Sequence, residues 1–267
     1  MRICVDLHTH SHFSLDAKYS PEEMARGAAE RGIDAIAICD HNAWDIFAAM
    51  PVNSPALILP AVEYSTTSGH IVGLFMESPP TLTYAKGHYY DPSKVVEAIH
   101  QKGGLAIAAH PFPREEEREM GMHRIALCDG VEVFNARAMA TWEESLREAL
   151  GQADGKFRTA GSDSHSPGEL GGARLYLTVE ECSPAAIREA LLRDDGVITG
   201  YPGSMVAKAR ADYKKAKTTS KKLRARCKIA AHWLWDRFRR SAMNTRYTVE
   251  LKTNTVTKEN KRRDLCR

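Results

Sequence analysis

The sequence predicts an α/β fold with parallel strands, and three observations lead to this prediction. Short apolar runs alternate with helical patterns over about 200 residues, the length that an α/β barrel needs. A His, Asp, Glu or Asn follows nearly every run, as happens where strand ends form the mouth of such a barrel. The net charge changes sign near residue 203, which marks the end of this body.

The predicted strands are nine apolar runs, some of which alternate with polar residues as a strand does. They cover residues 3–7, 35–39, 57–62, 70–75, 105–109, 131–134, 158–160, 175–179 and 197–199. Four helical patterns lie between them, at residues 20–31, 91–102, 141–150 and 183–193. Each pattern begins at a side chain that favours a helix N-cap, namely Ser20, Asp91, Thr141 and Ser183.

The composition is that of an ordinary globular protein, with 43% apolar residues in 267. No apolar run is long enough for a transmembrane helix, and the N-terminus carries no apolar segment typical of a secretory signal. The six cysteines form no Cys-x-x-Cys pair, which favours reduced thiols over a disulfide framework or a zinc ribbon. We therefore expect a cytoplasmic protein.

The charge distribution divides the chain into a body, residues 1–203, and a basic extension, residues 204–267. The body carries 17 Lys and Arg against 29 Asp and Glu, whereas the extension carries 20 against 5. Residues 229–240 form a cationic amphipathic pattern with several aromatic side chains. Such a helix suits a nucleic-acid backbone or a membrane surface, and packing against the acidic body is an equally good interpretation. From residue 247 onward we expect a short hairpin or a disordered end.

The first strand carries the two histidines that suggest chemistry. Residues i and i+2 of a strand point to the same face, so His8 and His10 are about 7 Å apart on one side of the sheet. Two neighbouring imidazoles suit a metal ion, whereas in a plain core each ring nitrogen needs its own hydrogen-bond partner.

Five short motifs of the body follow the order of a known family. They are DLHTH at residues 6–10, CDHN at 39–42, Glu63 followed by His70, AHP at 109–111 and GSDSH at 161–165. With them the chain resembles the PHP (polymerase and histidinol phosphatase) superfamily, and VFNAR at residues 133–137 with GHIVGLF at 69–75 resembles its short stand-alone members. The resemblance implies a distorted (β/α)7 barrel of the TIM type, followed here by the basic, partly helical extension, which the resemblance does not cover.

The resemblance also implies two to three divalent ions and a set of ligands for them. A first ion would take His8, His10, Glu63 and Asp163. Glu63 would bridge to a second ion, which would also take His70 and His110. A third ion would take His41, His165 and Asp16. His12 is the alternative to Asp16. Imidazole and carboxylate ligands suit manganese, iron or zinc. His8, His10, Glu63, His110 and Asp163 would form the catalytic group, with a hydroxide bridging two ions as the nucleophile.

Four further residues receive roles near these ligands. Asp40 and Asn135 would orient ligands from behind, as carboxylates commonly do for metal-bound imidazoles. Arg114 and Arg137 would contact a substrate phosphate. The other histidines, at positions 88, 100 and 123, read as ordinary surface residues, and the glycines at 161, 171 and 172 as turns.

The predicted function is that of a metal-dependent phosphoesterase, a hydrolase acting on phosphoric ester bonds. Its first-choice substrate is a nucleotide or a short oligonucleotide, and a phosphorylated small molecule cleaved by a histidinol-phosphatase-like phosphomonoesterase is the runner-up. The non-enzyme alternative is a metal-stabilised scaffold whose basic extension binds nucleic acid or a membrane surface; it predicts missing ligands.

Overall fold

The computed structural model describes residues 1–113, 117–137, 142–201, 223, 227–229 and 245–260. Arg114, the predicted N-cap Thr141 and most of the amphipathic pattern at 229–240 lie outside these residues.

All nine predicted runs are strands, and each begins or ends within a few residues of the prediction. The strands of the body are β1 (Arg2–Thr9), β2 (Ala35–His41), β3 (Leu57–Thr66), β4 (Gly69–Leu74), β5 (Leu105–Ala108), β6 (Gly130–Asn135), β7 (Phe157–Gly161), β8 (Ala173–Thr178) and β9 (Val197–Gly200). Two more strands, β10 (Thr245–Glu250) and β11 (Thr255–Asn260), lie in the predicted basic extension. Strand prediction succeeded because the apolar runs are short and sharply bounded.

The described helices are α1 (Pro21–Ala29), α2 (Pro92–Gln101), α3 (Arg118–Leu127), α4 (Trp142–Gln152) and α5 (Pro184–Arg193). Ser20 caps α1 in a reciprocal capping box with Glu23, and Asp91 and Ser183 accept backbone N–H groups at the starts of α2 and α5. Helix α3 was not predicted, because it contains a glycine and buries the charged Arg124 instead of an apolar stripe. Among the described residues, no helix has the length and apolar character needed to cross a bilayer.

The described strands form one mixed sheet of 11 strands in the order β11-β10-β9-β8-β1-β2-β3-β4-β5-β6-β7. The pairs β1–β2, β2–β3, β5–β6 and β6–β7 are parallel, as predicted. The other pairs are antiparallel, so the expectation of parallel strands throughout was wrong. The physical reason is clearest at β3 and β4, whose connection is too short for the crossover that a parallel pair requires.

The sheet is open, so the α/β class is confirmed and the closed (β/α)7 barrel is not. Strand β7 is one edge of the ladder, yet the segment after it returns to β1. The N–H of His10 donates to the carbonyl of Ser164 at 2.8 Å, and the N–H of Asp163 donates to the carbonyl of His8 at 2.8 Å. These bonds join the two strands only at their C-terminal ends, which is where the predicted ligands lie.

The C-terminal hairpin of β10 and β11 continues the sheet of the body. Residues Tyr247–Glu250 pair antiparallel with β9, and Tyr247 is buried with its O–H donating to Glu143 of α4 at 3.3 Å. Of the two interpretations of the chain end, the hairpin is therefore the one found for residues 245–260. The division of the chain at residue 203 stays a prediction.

Candidate metal centre

The histidines of β1 lie side by side, as the strand pattern predicted. The ring centroids of His8 and His10 are 5.2 Å apart, and both residues are buried. Their strand ends beside β2 and the segment after β7, so the C-terminal ends of three chain segments meet at one edge of the sheet. We call this edge the mouth.

Glu63, near the end of β3, is the centre of the arrangement. Its buried carboxylate lies between five imidazoles that come from four segments of the chain, because His8 and His10 share one. Oε1 lies 2.8 Å from His70 Nδ1 and 3.1 Å from His110 Nε2, and Oε2 lies 3.0, 3.3 and 3.5 Å from His41 Nδ1, His8 Nε2 and His10 Nε2. A single carboxylate among so many ring nitrogens is the geometry expected of a bridging ligand.

Two further carboxylates, those of Asp163 and Asp16, lie on the other side of the mouth. Asp163 Oδ1 lies 3.2 Å from His10 Nε2, and Asp16 Oδ2 lies 3.0 Å from His165 Nε2 and 3.6 Å from His41 Nε2. His12 is exposed and its ring packs on Phe13. Of the two candidates for this position, Asp16 is therefore the one that the fold brings to the cluster.

All nine predicted ligands are brought together, but their grouping differs from the implied one. Four triplets have ligand atoms within 4.8 Å of one another: His8 with His10 and Glu63, His8 with His110 and Asp163, His41 with Glu63 and His70, and His10 with His41 and His165. His8, His10, His41 and Glu63 each belong to two triplets, and which of them share an ion stays a prediction.

The nitrogen and oxygen atoms of these residues fit divalent cations. His8 Nε2, His10 Nε2 and Glu63 Oε2 are buried and, within the described part of the chain, have no hydrogen-bond partner. Leaving buried polar atoms unsatisfied costs free energy, and divalent ions at this place would remove that cost. The residues present therefore fit a metal cluster.

The pKa values within the cluster respond to the same crowding of opposite charges. Burial alone would lower the pKa of His8, but the carboxylates of Glu132 and Glu63 hold it well above its ordinary value. At His41 the carboxylates of Glu63 and Asp16 likewise outweigh burial and raise the pKa to about 10. Burial dominates at His10 and lowers its pKa to about 4, while the surrounding imidazoles outweigh burial at Glu63 and keep its pKa well below the usual range. Without a cation, this site neutralises its carboxylates by holding protons.

Glu132 is a site residue that the sequence interpretation missed. Its Oε1 accepts the Nδ1–H of His8 at 3.0 Å, and its Oε2 accepts the backbone N–H of His110 at 2.8 Å and an amide N–H of Asn135 at 3.0 Å. Because a carboxylate only accepts, His8 carries a proton on Nδ1, and Nε2 is the ring atom that would bind a cation. The available signal was a charged residue in the middle of an apolar strand.

Asp40, predicted to orient a ligand from behind, acts on a loop that adjoins His10. Its carboxylate accepts the N–H groups of Ser11 and Ser14 at 2.7 and 3.1 Å and the hydroxyl of Ser11 at 2.6 Å, rather than holding an imidazole. Asp40 is buried at the end of β2, where its carboxylate satisfies backbone amides of the loop that follows β1. Ser14 in turn lies 3.4 Å from His10 Nδ1, so Asp40 supports a ligand through this loop.

Arg137, predicted to contact a substrate phosphate, has its guanidinium beside His165. Nη1 contacts His165 Nδ1 at 3.1 Å and donates to Glu169 Oε2 and the carbonyl of Asp163 at 3.4 Å each. Asn135, predicted to orient ligands, lies behind them beside Glu132. Its side-chain carbonyl accepts the backbone N–H of Arg137 at 2.9 Å. A contact of Arg137 or Arg114 with a substrate phosphate stays a prediction.

Arg124 joins the turn before His70 to the loop that carries His110. It is 1% exposed, with one N–H group on the carbonyl of Ser68 and another on the carbonyl of Pro111 at 3.1 Å. Gly69 has a φ of +103°, and a Cβ there would lie 2.1 Å from this guanidinium. The buried arginine therefore holds the backbone next to His70 and next to His110, the two histidines that contact Glu63 Oε1.

Gly161 is more than the turn residue that the sequence suggested. A Cβ at this position would lie 2.2 Å from His8 Cβ and 2.6 Å from Glu132 Oε1. Its neighbour Asp163 has a φ of +54°, and His110 has a φ of +29°, both in the left-handed region that non-glycine residues seldom adopt. Strained backbone of this kind is held in place where surrounding contacts over-determine it, as they do here.

Comparison with known proteins agrees with this fold and site. The family model of the PHP domain matches residues 6–107. An uncharacterized protein of Methanocaldococcus jannaschii is 32% identical over 149 residues, which are 49% of this chain and 81% of that protein. The chain belongs to the PHP domain family. The predicted enzyme class, a hydrolase acting on phosphoric ester bonds, is confirmed at this level.

Solved structures share the fold at low identity. A two-domain protein from Bacteroides vulgatus that contains a predicted PHP-like metal-dependent phosphoesterase aligns with a TM-score of 0.55 and 18% identity, over 80% of this chain and 70% of that one. A lesion-specific endonuclease from Pyrococcus furiosus aligns with a TM-score of 0.50 and 14% identity, over 72% and 56%. At such identities the likeness supports the fold alone.

Proposed function

We propose that this chain hydrolyses phosphate esters of nucleotides or short oligonucleotides with two to three divalent ions. The observation that carries the proposal is the Glu63 carboxylate among five imidazoles, with His8 Nε2 and His10 Nε2 buried and unsatisfied within the described residues. Ions bound there would polarise a phosphate oxygen and lower the pKa of a coordinated water.

The ligands and the metals follow from the donor atoms. The proposed ligands are His8, His10, Asp16, His41, Glu63, His70, His110, Asp163 and His165. Imidazole and carboxylate donors without cysteine suit manganese, iron or zinc. His8, His10, Glu63, His110 and Asp163 are the proposed catalytic group, since they line the Glu63 and Asp163 side of the mouth.

The chain's own residues set the orientation of this group. Glu132 keeps the proton of His8 on Nδ1, so that Nε2 points at Glu63. Arg137 lies beside His165 and is 16% exposed at its side chain, and its remaining N–H groups are proposed to donate to a phosphate at that side. Arg114 is proposed as a second phosphate contact from the sequence alone.

Charge favours a polyanionic substrate over a small phosphomonoester. Strand β9 runs in the same direction as β1, and β10 runs opposite to it. Tyr201, which follows β9, and Thr245, which begins β10, therefore both lie at the mouth end of the sheet. Residues 202–244 between them carry 13 Lys and Arg against 2 Asp. Such a positive charge attracts a phosphate backbone, and a membrane surface remains the alternative partner.

The first test is a substrate panel on metal-loaded protein. Manganese, iron and zinc forms are assayed with p-nitrophenyl phosphate, histidinol phosphate, mononucleotides and short oligonucleotides. We expect about two to three metal equivalents and turnover that His8→Ala abolishes, because the metal cluster supplies the reaction chemistry. His100→Ala, an exposed histidine on α2, is the matched control and keeps wild-type turnover.

A second variant tests the choice of substrate. Changing Lys214, Lys215, Lys217, Lys221 and Lys222 to glutamine leaves β10 and β11 in place, which a deletion after residue 203 would remove. We expect kcat/KM for oligonucleotides to fall more than kcat/KM for mononucleotides. Preference for histidinol phosphate would favour the runner-up, and a metal-replete protein without turnover would favour the scaffold.

A further inference from the structure

Exposed aromatic side chains are concentrated at the mouth. Within the described residues, four Phe, Tyr or Trp side chains are exposed: Tyr19, Trp44, Tyr84 and Tyr89, at 39%, 38%, 49% and 52%. Two of them lie in the loops that follow β1 and β2, and two lie in a segment hydrogen-bonded to the end of β3, so all four belong to segments that adjoin the mouth. We call these four residues the aromatic rim.

Two members of the aromatic rim follow the first two strands. Tyr19 lies in the loop after β1, three residues beyond Asp16, and its carbonyl accepts the N–H of His12 at 2.8 Å. Trp44 lies three residues beyond His41, at the start of the loop after β2. Each ring therefore stands close along the chain to a proposed ligand.

The other two members belong to a small hairpin, residues 84–90, that is fastened to the end of β3. The N–H of Tyr90 donates to the carbonyl of Ser65 at 2.9 Å, and the N–H of Thr67 donates to the carbonyl of Tyr90 at 2.9 Å. Ser65 is two residues, or about 7 Å, beyond Glu63 on the same face of the strand. The side chain of Asn42 accepts the N–H of Ser65 at 2.8 Å, so the hairpin also adjoins the loop of His41.

The hairpin holds its rings in fixed orientations. Tyr84 stacks on the buried Tyr90 with centroids 4.5 Å apart and meets His88 edge to face at 5.7 Å. About half of the Tyr84 side chain stays exposed, and the exposed Lys86 lies at the hairpin tip. A ring that is already oriented loses little conformational freedom when a flat partner stacks on it.

We propose that the aromatic rim binds the bases of a single-stranded nucleic acid whose backbone enters the Glu63 cluster. Bases stack on aromatic rings regardless of sequence, and a rim of rings around a phosphate-binding mouth suits such a strand. Phosphomonoesters without a base would gain nothing from these rings. The proposal rests on the proposed phosphoesterase function of the same site and names its substrate class.

The test compares a strand with bases and the same strand without them. The probes are a fluorescent single-stranded 10-mer with phosphorothioate linkages, which slow cleavage, and an abasic 10-mer of equal charge. Binding to the metal-loaded full chain is measured by anisotropy. We expect the base-bearing strand to bind more tightly, and Tyr84→Ala and Tyr89→Ala each to weaken it about fivefold or more without changing abasic binding.

Two kinds of control separate stacking from folding. Tyr84→Phe and Tyr89→Phe keep the ring and should keep wild-type affinity, and unchanged binding of the abasic strand by the alanine variants excludes a folding defect. Leu192→Ala, at a side chain 52% exposed on α5, removes an exposed apolar group away from the mouth and should change neither affinity. Positive charge elsewhere in the chain acts equally on both strands, so it does not enter the difference.

The outcomes distinguish this proposal from the proposed function. Equal affinity of the wild type for both strands, or alanine variants that bind like the wild type, would overturn the role of the rim. Hydrolysis of p-nitrophenyl phosphate with either of these results would leave the phosphoesterase standing. Base-dependent binding without hydrolysis of any phosphate ester would support the rim and contradict the enzyme.

Discussion

Glu63 on β3 and Glu132 on β6 are both buried glutamates at the mouth, yet their oxygens are used differently. Both oxygens of Glu132 accept hydrogen bonds, from His8, from the backbone of His110 and from Asn135. Glu63 faces imidazole nitrogens, and its Oε2 has no hydrogen-bond partner within the described residues.

The difference teaches how one cluster combines two tasks. A carboxylate whose acceptor sites are filled by N–H groups orients the residues that donate to it. A carboxylate with a buried oxygen left over can bind a cation. Glu132 therefore sets the direction of His8, and Glu63 is the group that metal ions would share.

The largest effect is expected from Glu63→Gln, which tests the cation-binding side of the comparison. An amide cannot bridge cations as a carboxylate does, so the metal content should fall and kcat/KM should drop roughly 10³-fold or more. Elemental analysis and steady-state kinetics measure both. Glu97→Gln, at an exposed glutamate on α2, is the control, and full metal content in Glu63→Gln would contradict the bridging role.

Glu132→Gln tests the orienting side and should have a smaller effect. The amide cannot accept hydrogen bonds from all three donors, so His8 loses its fixed orientation while the ligand set stays complete. Metal affinity should fall roughly 10- to 100-fold. Titration against a competing chelator measures it. A loss as large as that of Glu63→Gln would remove the distinction between the two glutamates.

Gly161→Ala tests the close packing of Gly161 against the hydrogen-bonded pair of His8 and Glu132. The added Cβ would meet His8 and Glu132, and we expect a loss of about 1–3 kcal/mol in the free energy of unfolding together with weaker metal binding. Gly151→Ala is the matched control, because its Cβ would meet nothing within 4 Å on helix α4 and should stabilise by up to about 1 kcal/mol. Denaturant unfolding measures both variants, and equal stabilities would show that the site relaxes around the methyl group.

The smallest effect is expected from Asn135→Ala. This change removes one of the three donors to Glu132, so stability should fall by about 1–2 kcal/mol and metal affinity by less than in Glu132→Gln. Unfolding and chelator titrations again measure the two quantities. Gln101→Ala removes an exposed amide on α2 and serves as the control. A metal-affinity loss greater than that of Glu132→Gln would contradict the order of importance.

Much of the fold was predictable, because strands here are short apolar runs with clear ends. The sequence located all nine strands of the body and the caps Ser20, Asp91 and Ser183. It missed α3, which buries Arg124 instead of an apolar face, and it did not reveal that many strand pairs are antiparallel. Pairing direction depends on contacts between distant segments, which local periodicity does not encode.

The site was predictable in its ligand types but not in its supporting contacts. The motif histidines and Glu63 meet at one edge of the sheet, and only the structure shows that Asp40 acts through a loop and that Arg137 contacts His165. Glu132 was overlooked because a lone glutamate in a strand gives no hint of its partners. Hydrogen bonds over 124 residues, such as that from His8 to Glu132, arise only when the chain is folded.

By itself, the sequence determined the α/β class, the family motifs and the residue types that meet at the mouth, because each of these is written in local pattern and spacing. Only the tertiary structure decided which ligands share neighbours, which carboxylate is satisfied and that the sheet stays open. Those features depend on distances between segments far apart in the chain, and such distances are set by packing rather than by local preference.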